Sequence, residues 1–432
     1  MNEMIKQRIE QIRRGEVPEG YKKTKVGIVP DEWKLYKLCE ISEELHECAG
    51  DATYETLSIS ACMGFVNQAN KFGKEISGAQ YSKYTVLKKG DFSYNKGNSK
   101  KYPQGCIYQL KDREAAAVPN VFESFRLTKG NNDFFEQLFM YGFLNSQLFS
   151  KINHGVRDDG LLNLRGNDFY SSYVLFPPLP EQEKIAEILS AQDKLIALKE
   201  KLIEEKMKQK KALMQQFLTG EKRLPGFRDE WISFSISEVV LHITTGLNPR
   251  DNFRFNEKGE CFYVTIKNFH DGCIFLDERC DKITQHDREL IHTRSKIDKG
   301  DILFASIGRV GDTYLIKEAP TEWDINESVF AIRANTNKVY SELLNYVLSS
   351  PFSKKKFISK VTGSTFQSIK INDLLKHKIK IPLSFDEQRQ LIEFFDIIEK
   401  EVILLQKELD QEKQKKKALM QLLLTGIVRV DI

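Results

Sequence analysis

The sequence lacks the features that mark several classes of protein. No apolar run approaches the length of a membrane span, and the opening fifteen residues alternate charged and apolar side chains unlike a secretory signal. Seven cysteines form an odd set without a C-x-x-C pair, which argues against a disulfide framework or a zinc ribbon. Lysine and arginine number 65 against 61 acids, and a net charge of +4 does not diagnose nucleic-acid binding. We therefore expect a cytoplasmic protein with reduced thiols, whose basic surface is local.

Catalytic signatures are also missing. The sequence has no G-x-x-x-x-G-K-[ST] phosphate loop, no H-E-x-x-H and no G-x-S-x-G elbow. Glu204–Lys206 resembles part of a metal-dependent nuclease site, but it falls on the charged surface of a predicted helix, where charge stabilises the helix. The nearest approach to a metal cluster is Cys273, Cys280, His270 and His286, and ordinary core and strand positions explain these residues better. We expect no catalytic residue, no metal and no cofactor bound by this chain.

The chain contains a repeat. Its 432 residues exceed one domain, and residues 210–220 (KKALMQQFLTG) match residues 416–426 (KKALMQLLLTG) at nine of eleven positions. The same offset of 206 aligns Glu181-Gln182 with Glu387-Gln388. Weaker echoes at offsets of 198 to 210 pair Asp31–Trp33 with Asp229–Trp231, Lys89–Asp91 with Lys299–Asp301, and Asn167-Asp168 with Asn372-Asp373. We interpret the chain as two copies of one plan, each a divergent body followed by a closely similar tail.

Both tails have the pattern of long helices. Apolar residues recur at three- and four-residue steps, and their expected pairing seam is Ile185, Leu189, Ile196 and Ile203 in the first tail and Leu391, Phe395, Ile398, Val402, Leu405 and Leu409 in the second. Ser384 and Glu387 have the spacing of a capping box, and glycine follows each tail. At 1.5 Å per residue each helix is roughly 50 to 60 Å long. We expect two antiparallel helices that act as a spacer between the bodies.

The bodies are predicted to be α+β. Residues 173–176, 302–305 and 330–333 have strand character, whereas residues 133–152 and 341–358 have helical periodicity. Trp33 and Trp231 occupy equivalent positions, and each is predicted to be a core anchor at the entry to its body.

Several loops in both bodies combine glycine, amide or hydroxyl side chains and cations. Lysine and arginine neutralise phosphates, and arginine, asparagine and glutamine pair with purine edges. Any one such loop is more typical of an ordinary solvated turn, and only the presence of such loops in both bodies favours DNA. The candidate DNA-binding residues are Lys96, Asn98, Lys100, Lys101, Arg157, Asn163, Arg165, Arg309, Ser364, Thr365, Gln367 and Lys370.

These segments, in this order and twice over, resemble the specificity subunit of type I restriction-modification enzymes. The resemblance rests on residues 177–185 (PPLPEQEKI), 210–220 and 416–426, the linker 224–231 (LPGFRDEW) and Gly363-Ser-Thr. It spans essentially the whole chain, although the second helix opens with IPLSFDEQ rather than the fuller proline pattern. It implies an N-terminal helical segment (1–20), recognition domains at 21–177 and 225–381, and conserved helices at 178–224 and 382–432.

The resemblance also implies partners. Each recognition domain would read one half of a bipartite, asymmetric target in double-stranded DNA. The helices would anchor two methyltransferase subunits that use S-adenosylmethionine to methylate adenine, and two motor-nuclease subunits that use ATP and magnesium would join them.

Two other readings stay open from sequence alone. One is a coiled-coil scaffold that bridges two proteins without touching DNA, and the other is a self-contained nuclease. The Lys-Lys-Ala-Leu-Met segments, with Met214 and Met420, suit a surface for a partner and packing between the helices equally well.

Overall fold

The computed structural model describes residues 3–60, 63–74, 78–97, 102–152, 162–250, 252–270, 272–360 and 368–431. It divides into two compact units: the first unit comprises Met1–Lys199 and Glu408–Ile432, and the second unit comprises Glu200–Lys407. Each unit mixes helices with small, mostly antiparallel sheets. The predicted α+β class and the two-copy plan are confirmed.

The first copy runs from the N-terminus to the end of the first long helix. Its helices are α1 (Glu3–Arg13), α2 (Leu38–Ile41), α3 (Gln68–Phe72), α4 (Asn132–Met140), α5 (Asn145–Lys151), α6 (Gly166–Tyr170) and the long α7 (Leu179–Leu218). Its strands are β1 (Tyr21–Thr24), β2 (Gly27–Pro30), β3 (Lys34–Lys37), β4 (Ser42–Glu44), β5 (Leu57–Ser60), β6 (Gly64–Asn67), β7 (Thr85–Lys88), β8 (Phe92–Asn95), β9 (Cys106–Gln109), β10 (Ala115–Val118), β11 (Glu123–Leu127) and β12 (Tyr173–Phe176).

The second copy follows the same plan. Its helices are α8 (Ile236–Val239), α9 (Gln285–Ser295), α10 (Ser341–Ser349), α11 (Pro351–Ile358), α12 (Ile371–Leu375) and the long α13 (Phe385–Leu424). Its strands are β13 (Ile232–Ser235), β14 (Val240–Thr245), β15 (Cys261–Val264), β16 (Phe269–His270), β17 (Cys273–Ile274), β18 (Asp281–Ile283), β19 (Ile302–Ala305), β20 (Thr313–Leu315), β21 (Trp323–Ile325), β22 (Val329–Ala334) and β23 (Lys378–Ile381).

A four-stranded sheet is common to both copies. Its order is β4-β11-β8-β9 in the first and β14-β22-β19-β20 in the second. Before the third strand, the buried Asp91 carboxylate accepts two hydrogen bonds from Arg126 at 2.7 and 2.9 Å, and Asp301 accepts two from Arg333 at 2.8 and 2.7 Å. The repeated Lys-Gly-Asp turn therefore fixes one strand to its neighbour in each copy.

The strands outside this sheet differ between the copies. The first copy has the separate pairs β5–β6 and β10–β7, whereas the second has a three-stranded sheet in the order β18-β15-β21. The common frame thus carries unlike additions, as the divergence of the two body sequences predicts.

The strand that closes each body leads directly into a long helix. β12 pairs with β3 and precedes α7, and β23 pairs with β13 and precedes α13. Trp33 is fully buried just before β3, whereas Trp231, just before β13, is half-buried. Each body therefore begins and ends beside the base of its own long helix.

The two long helices run antiparallel within each unit. In the first unit Gln192 Nε2 donates to Glu412 Oε2 at 2.7 Å and Lys199 Nζ lies 2.6 Å from Glu408 Oε2. In the second unit Lys206 Nζ lies 2.6 Å from Glu401 Oε1. As one sequence number rises the other falls, which confirms the antiparallel prediction. Each helix has forty residues and is about 60 Å long.

The predicted seam residues differ in their burial. Ile185, Leu189, Ile203, Leu391, Phe395 and Leu409 are buried, and Ile196, Ile398, Val402 and Leu405 are half-buried. Met214 and Met420 lie in the apolar cores of the second and first units respectively, with 5% and 8% of their surface exposed. For these two methionines, packing within the units accounts for the repeat.

Two predicted helices are wrong in their length. Residues 133–152 form two helices rather than one, because Gly142 adopts a φ of +81° that a right-handed helix cannot continue. Residues 341–358 are likewise divided, because Pro351 has no N–H to continue α10. Ser350 begins α11 instead, and its hydroxyl accepts a hydrogen bond from the Ser353 N–H at 3.2 Å.

Candidate nucleic-acid interface

Two loops meet at the end of the third sheet strand in each unit. In the first unit the Leu162 N–H donates to the Lys96 carbonyl at 2.9 Å, and in the second the Ile369 N–H donates to the Ser306 carbonyl at 2.9 Å. An antiparallel bridge between Ile307 and Ser368 adds to the second junction. Candidate residues that are distant in sequence are therefore neighbours, and the same junction occurs in both units.

In the first unit Lys96, Asn163 and Arg165 are described. The Lys96 ammonium is 2.5 Å from Glu123 Oε1, and these side chains are only 15% and 14% exposed. Its charge is therefore balanced inside the protein, whereas Asn163 and Arg165 are exposed and open to a ligand. Asn98, Lys100, Lys101 and Arg157 lie outside the described residues.

In the second unit Arg309 and Lys370 are exposed. Arg309 Nη1 donates to the Phe269 carbonyl at 2.5 Å, so one face of its guanidinium is already held by the protein. Ser364, Thr365 and Gln367 lie outside the described residues. Lys370 and Arg165 hold equivalent positions, because each is the N-cap residue of a short helix (α12 and α6) and makes no side-chain bond to it.

Each body is also bonded to the long helices beside it. In the first unit Gln137 Nε2 donates to Asp193 Oδ2 at 2.9 Å, and Lys416 Nζ lies 2.5 Å from Asp193 Oδ1. The Asp193 carboxylate on α7 thus joins α4 of the body to α13.

The second unit repeats this arrangement with other residues. The Tyr346 hydroxyl of α10, which has one proton to donate, lies between two carboxylates, 2.7 Å from Asp396 Oδ1 and 3.0 Å from Glu399 Oε2. Lys210 Nζ lies 3.3 Å from Glu399 Oε1. Glu399 follows Asp193 by 206 positions, as Lys416 follows Lys210. A carboxylate on one long helix therefore fixes the body to both helices in each unit.

One group of cations was missed by the sequence reasoning. Residues 350–380 contain eight lysines and a single acid, Asp373. A local charge count along the chain, instead of the whole-chain balance, would have found this segment. Seven of these lysines lie on the exposed surface of the second unit: Lys355, Lys356, Lys360, Lys370, Lys376, Lys378 and Lys380.

Cys280, one of the residues of the possible metal cluster, forms hydrogen bonds within the second unit. Cys280 accepts a hydrogen bond from Asn268 Nδ2 at 2.9 Å and donates to the Phe275 carbonyl at 3.0 Å. Over the described ranges, no group of three or more His, Cys, Asp or Glu side chains is placed to hold a metal ion. The helices described also include none that is apolar and long enough to cross a bilayer.

Comparison with known proteins gives consistent matches. The family model of the type I restriction modification DNA specificity domain matches residues 30–206 and again 228–413. A Methanocaldococcus jannaschii protein named as the specificity subunit of the type I restriction enzyme MjaX is 25% identical over 439 residues, which cover 95% of this chain and 97% of that protein.

Two solved structures share the fold. One is a chain from a structural study of complex assembly and conformational transition of the type I R-M system. It matches with a TM-score of 0.58 and 19% identity, and the match covers 93% of this chain and 99% of that chain. The other is the S subunit of a type I restriction-modification system from M. genitalium. It matches with a TM-score of 0.52 and 15% identity, and the match covers 93% of this chain and 96% of that chain.

The two matches to the family model account for most of the sequence, one for each copy of the repeat. They begin at the two tryptophan-containing entries to the bodies and extend into the two long helices. The chain therefore belongs to the specificity subunits of type I restriction-modification enzymes, which are non-catalytic DNA-recognition subunits.

Proposed function

We propose that this chain reads a bipartite, asymmetric DNA target, with one half-site for each unit. The observation that carries the proposal is the repeated junction of two loops, which brings Asn163 and Arg165 of the first unit beside the loop of Lys96, and Lys370 of the second beside the loop of Arg309. Unlike exposed side chains at equivalent positions suit unlike half-sites. The recognition domains are proposed to span residues 21–177 and 225–381.

The long helices are proposed to set the separation of the half-sites and to hold two methyltransferase subunits. Apolar side chains remain exposed on them, among them Leu198 in the first unit and Ile397, Ile403 and Leu404 in the second, at 66%, 67%, 58% and 60% of their surface. Exposed apolar surface of this kind is typical of protein interfaces. S-adenosylmethionine would be bound by the methyltransferase subunits, and ATP and magnesium by two motor-nuclease subunits.

The test is methylation by the purified chain combined with its methyltransferase subunits. Methyl transfer from labelled S-adenosylmethionine is measured on duplexes that vary one half-site at a time. Arg165→Ala and Lys370→Ala form a matched pair, because both residues are exposed N-caps whose side chains make no bond to the helix they begin. We expect each variant to relax the sequence requirement of one half-site only, by about 1–3 kcal/mol where a hydrogen bond to a base is removed.

Two results would contradict the proposal. Methylation that does not depend on this chain or on DNA sequence would remove its role as the reader. DNA affinity that stays constant as salt rises would favour the non-DNA scaffold, because phosphate contacts must weaken with salt. An exchange of residues 21–176 as a block adds a second measurement, and we expect it to change one half of the target.

A further inference from the structure

The two copies of the repeat differ in local charge at one place. In the second copy, residues 350–380 carry eight lysines and one aspartate, a net charge of +7 with histidine neutral. The equivalent part of the first copy, from the end of α4 into β12 (residues 141–175), carries three cations and three acids. The whole-chain charge of +4 conceals this asymmetry.

The charge of these lysines is hardly neutralised by the protein. Within the described part of the chain, the segment forms one ion pair, between Lys354 Nζ and Asp312 Oδ1 at 2.6 Å. The other seven lysines are exposed. The Lys356 ammonium lies 4.0 Å from the centre of the Phe352 ring, which is compatible with continued exposure of its charge.

Several contacts gather this charge at one edge of the second unit. The Lys354–Asp312 pair places α11 against the turn before β20, and the bridge between Ile307 and Ser368 brings the strand-end loop of Arg309 beside Lys370. The lysine-rich elements thus adjoin the candidate interface of that unit.

The buried His377 lies close to several of these lysines. Burial first, and then the charges of Lys360 and Lys356, lower the pKa of His377 to about 4. His377 lies between Lys376 and Lys378 in the chain, and its ring centre is 4.6 Å from that of Phe357 on α11. Lys356 and Lys360 are therefore close to His377, and Lys376 and Lys378 flank it in the chain.

We propose that the lysine surface formed by Lys355, Lys356, Lys360 and Lys376, beside the candidate base contact Lys370, binds backbone phosphates of duplex DNA. Duplex DNA carries one charge per roughly 1.7 Å of its axis, and lysine is a compact point charge that neutralises phosphate without reading sequence. The first unit has a balanced segment at the equivalent place. We therefore expect this segment of the second unit to contribute more sequence-independent affinity than its counterpart in the first unit. This inference rests on the proposed function, because it names an additional contact to the same ligand.

The test is the salt dependence of DNA binding by the full chain with its methyltransferase subunits. In the variant Lys355→Gln/Lys356→Gln/Lys376→Gln we expect the slope of log affinity against log salt to fall by about 0.9 for each phosphate that the variant no longer neutralises, or about 2 to 3 in all. Affinity for target and unrelated duplexes is expected to fall by the same factor, with the methylated sequence unchanged.

The matched control is Lys258→Gln/Lys299→Gln/Lys317→Gln. These three lysines are exposed in the same unit but lie outside the segment, and the control removes the same total charge. We expect its salt slope to stay close to that of the unmodified chain. Equal slopes for the two triple variants would overturn the inference, since general charge would then explain the affinity.

Two further results separate the possible failures. An unchanged DNA slope together with loss of binding to the motor-nuclease subunit would overturn the inference, because the lysines would then face a protein. A complex without any sequence preference would instead overturn the proposed function, while the slopes on unrelated DNA still judge the lysine surface. The single variant Lys355→Gln, with an expected decrease of about 0.9 in slope, gives the same answer if the triple variant fails to fold.

Discussion

Glu181 and Glu387 lie 206 positions apart and bind matching partners. The Glu181 carboxylate accepts the Trp33 indole N–H at 2.9 Å and two hydrogen bonds from Arg429 at 2.6 and 2.9 Å. Glu387 accepts the Trp231 indole at 3.2 Å and two bonds from Arg223, both at 2.7 Å. The start of each long helix is thus held by the segment that follows the end of the other one, within each unit.

The first prediction concerns the Arg429–Glu181 pair. Arg429→Met leaves a carboxylate with no exposed surface bonded to one indole, so we expect the first unit to lose about 3–5 kcal/mol. Glu181→Gln keeps an acceptor for Trp33, and Arg429, which is 33% exposed, can still be hydrated. We therefore expect this variant to lose only about 1–2 kcal/mol of unfolding free energy. Urea denaturation with amide exchange in the first unit measures both.

The second unit supplies the control for this prediction. Arg223→Met is expected to act on the amides of the second unit, because Arg223 is bonded to Glu387 there. If Arg429→Met proved no more harmful than Glu181→Gln, the buried carboxylate would not depend on its arginine.

The second prediction distinguishes a structural role of Lys96 from contact with DNA. Lys96→Met leaves the largely buried Glu123 without its cation, and we expect a decrease of about 3 kcal/mol in unfolding free energy. The double variant Lys96→Met/Glu123→Met removes both charges, and we expect most of the stability to return. Thermal unfolding tests stability, and a salt titration tests DNA binding. A lower salt slope in the stable double variant would show that Lys96 contacts phosphate after all.

The third prediction is a loss of stability in acid caused by His377. Its folded pKa is about 4, against about 6.5 in an unfolded chain, so between these values the unfolded chain binds a proton that the folded chain does not. The contribution of neutral His377 to the unfolding free energy is therefore fully present above about pH 6.5, and it is lost as the pH falls toward 4. The difference amounts to about 3 kcal/mol.

His377→Leu is the variant that tests this loss. Among the residues that the structure describes, none forms a hydrogen bond with Nε2 of the ring. The substitution also retains the backbone carbonyl that accepts the Ile236 N–H at 2.9 Å. We expect a flatter stability curve between pH 6.5 and 4, measured by denaturation and by exchange of the Ile236 amide. His286→Gln, at an exposed histidine, is the control and is expected to keep the original slope. Equal slopes for both variants would exclude His377 as the cause.

The fourth prediction concerns the bond between body and helices in the second unit. Tyr346→Phe keeps the ring beside Phe395, 5.3 Å between centres, but removes the hydroxyl bonds to Asp396 and Glu399. We expect the second unit to lose about 2 kcal/mol, because hydrogen bonds to charged groups contribute more than neutral ones. Urea denaturation measures the loss, and Gln137→Leu is the matching change in the first unit. An effect well below 1 kcal/mol at both positions would mean that apolar packing alone fixes the bodies to the helices.

The repeat was the part of the fold that sequence predicted well, because identical local contacts require similar residues at one offset. The Glu-Gln and Lys-Gly-Asp repeats are visible in the sequence alone. The contacts that explain these repeats are not visible in the sequence. Asp91 bonds to Arg126, which is 35 residues away, and Glu181 bonds to Arg429, which is 248 residues away. Side-chain partners brought together by folding leave no local pattern.

The candidate interface shows the same limit. Arg165 and Lys370 were selected from composition, and their equivalence as helix N-caps follows from backbone geometry that composition does not encode. Lys96 is of a residue type that often contacts phosphate, yet its charge is neutralised by Glu123. The divided helices at Gly142 and Pro351 could have been predicted, since both residues interrupt helices for local reasons.

The unlike strands added to the common four-stranded frame have a consequence for how new specificities arise. The Asp91–Arg126 and Asp301–Arg333 bonds secure the frame, and neither involves β5, β6, β15, β18 or β21. Substitutions, insertions and exchanges in those strands can accumulate while the frame keeps its geometry. The additional strands of one body can therefore change in sequence while the four-stranded frame of both bodies is retained.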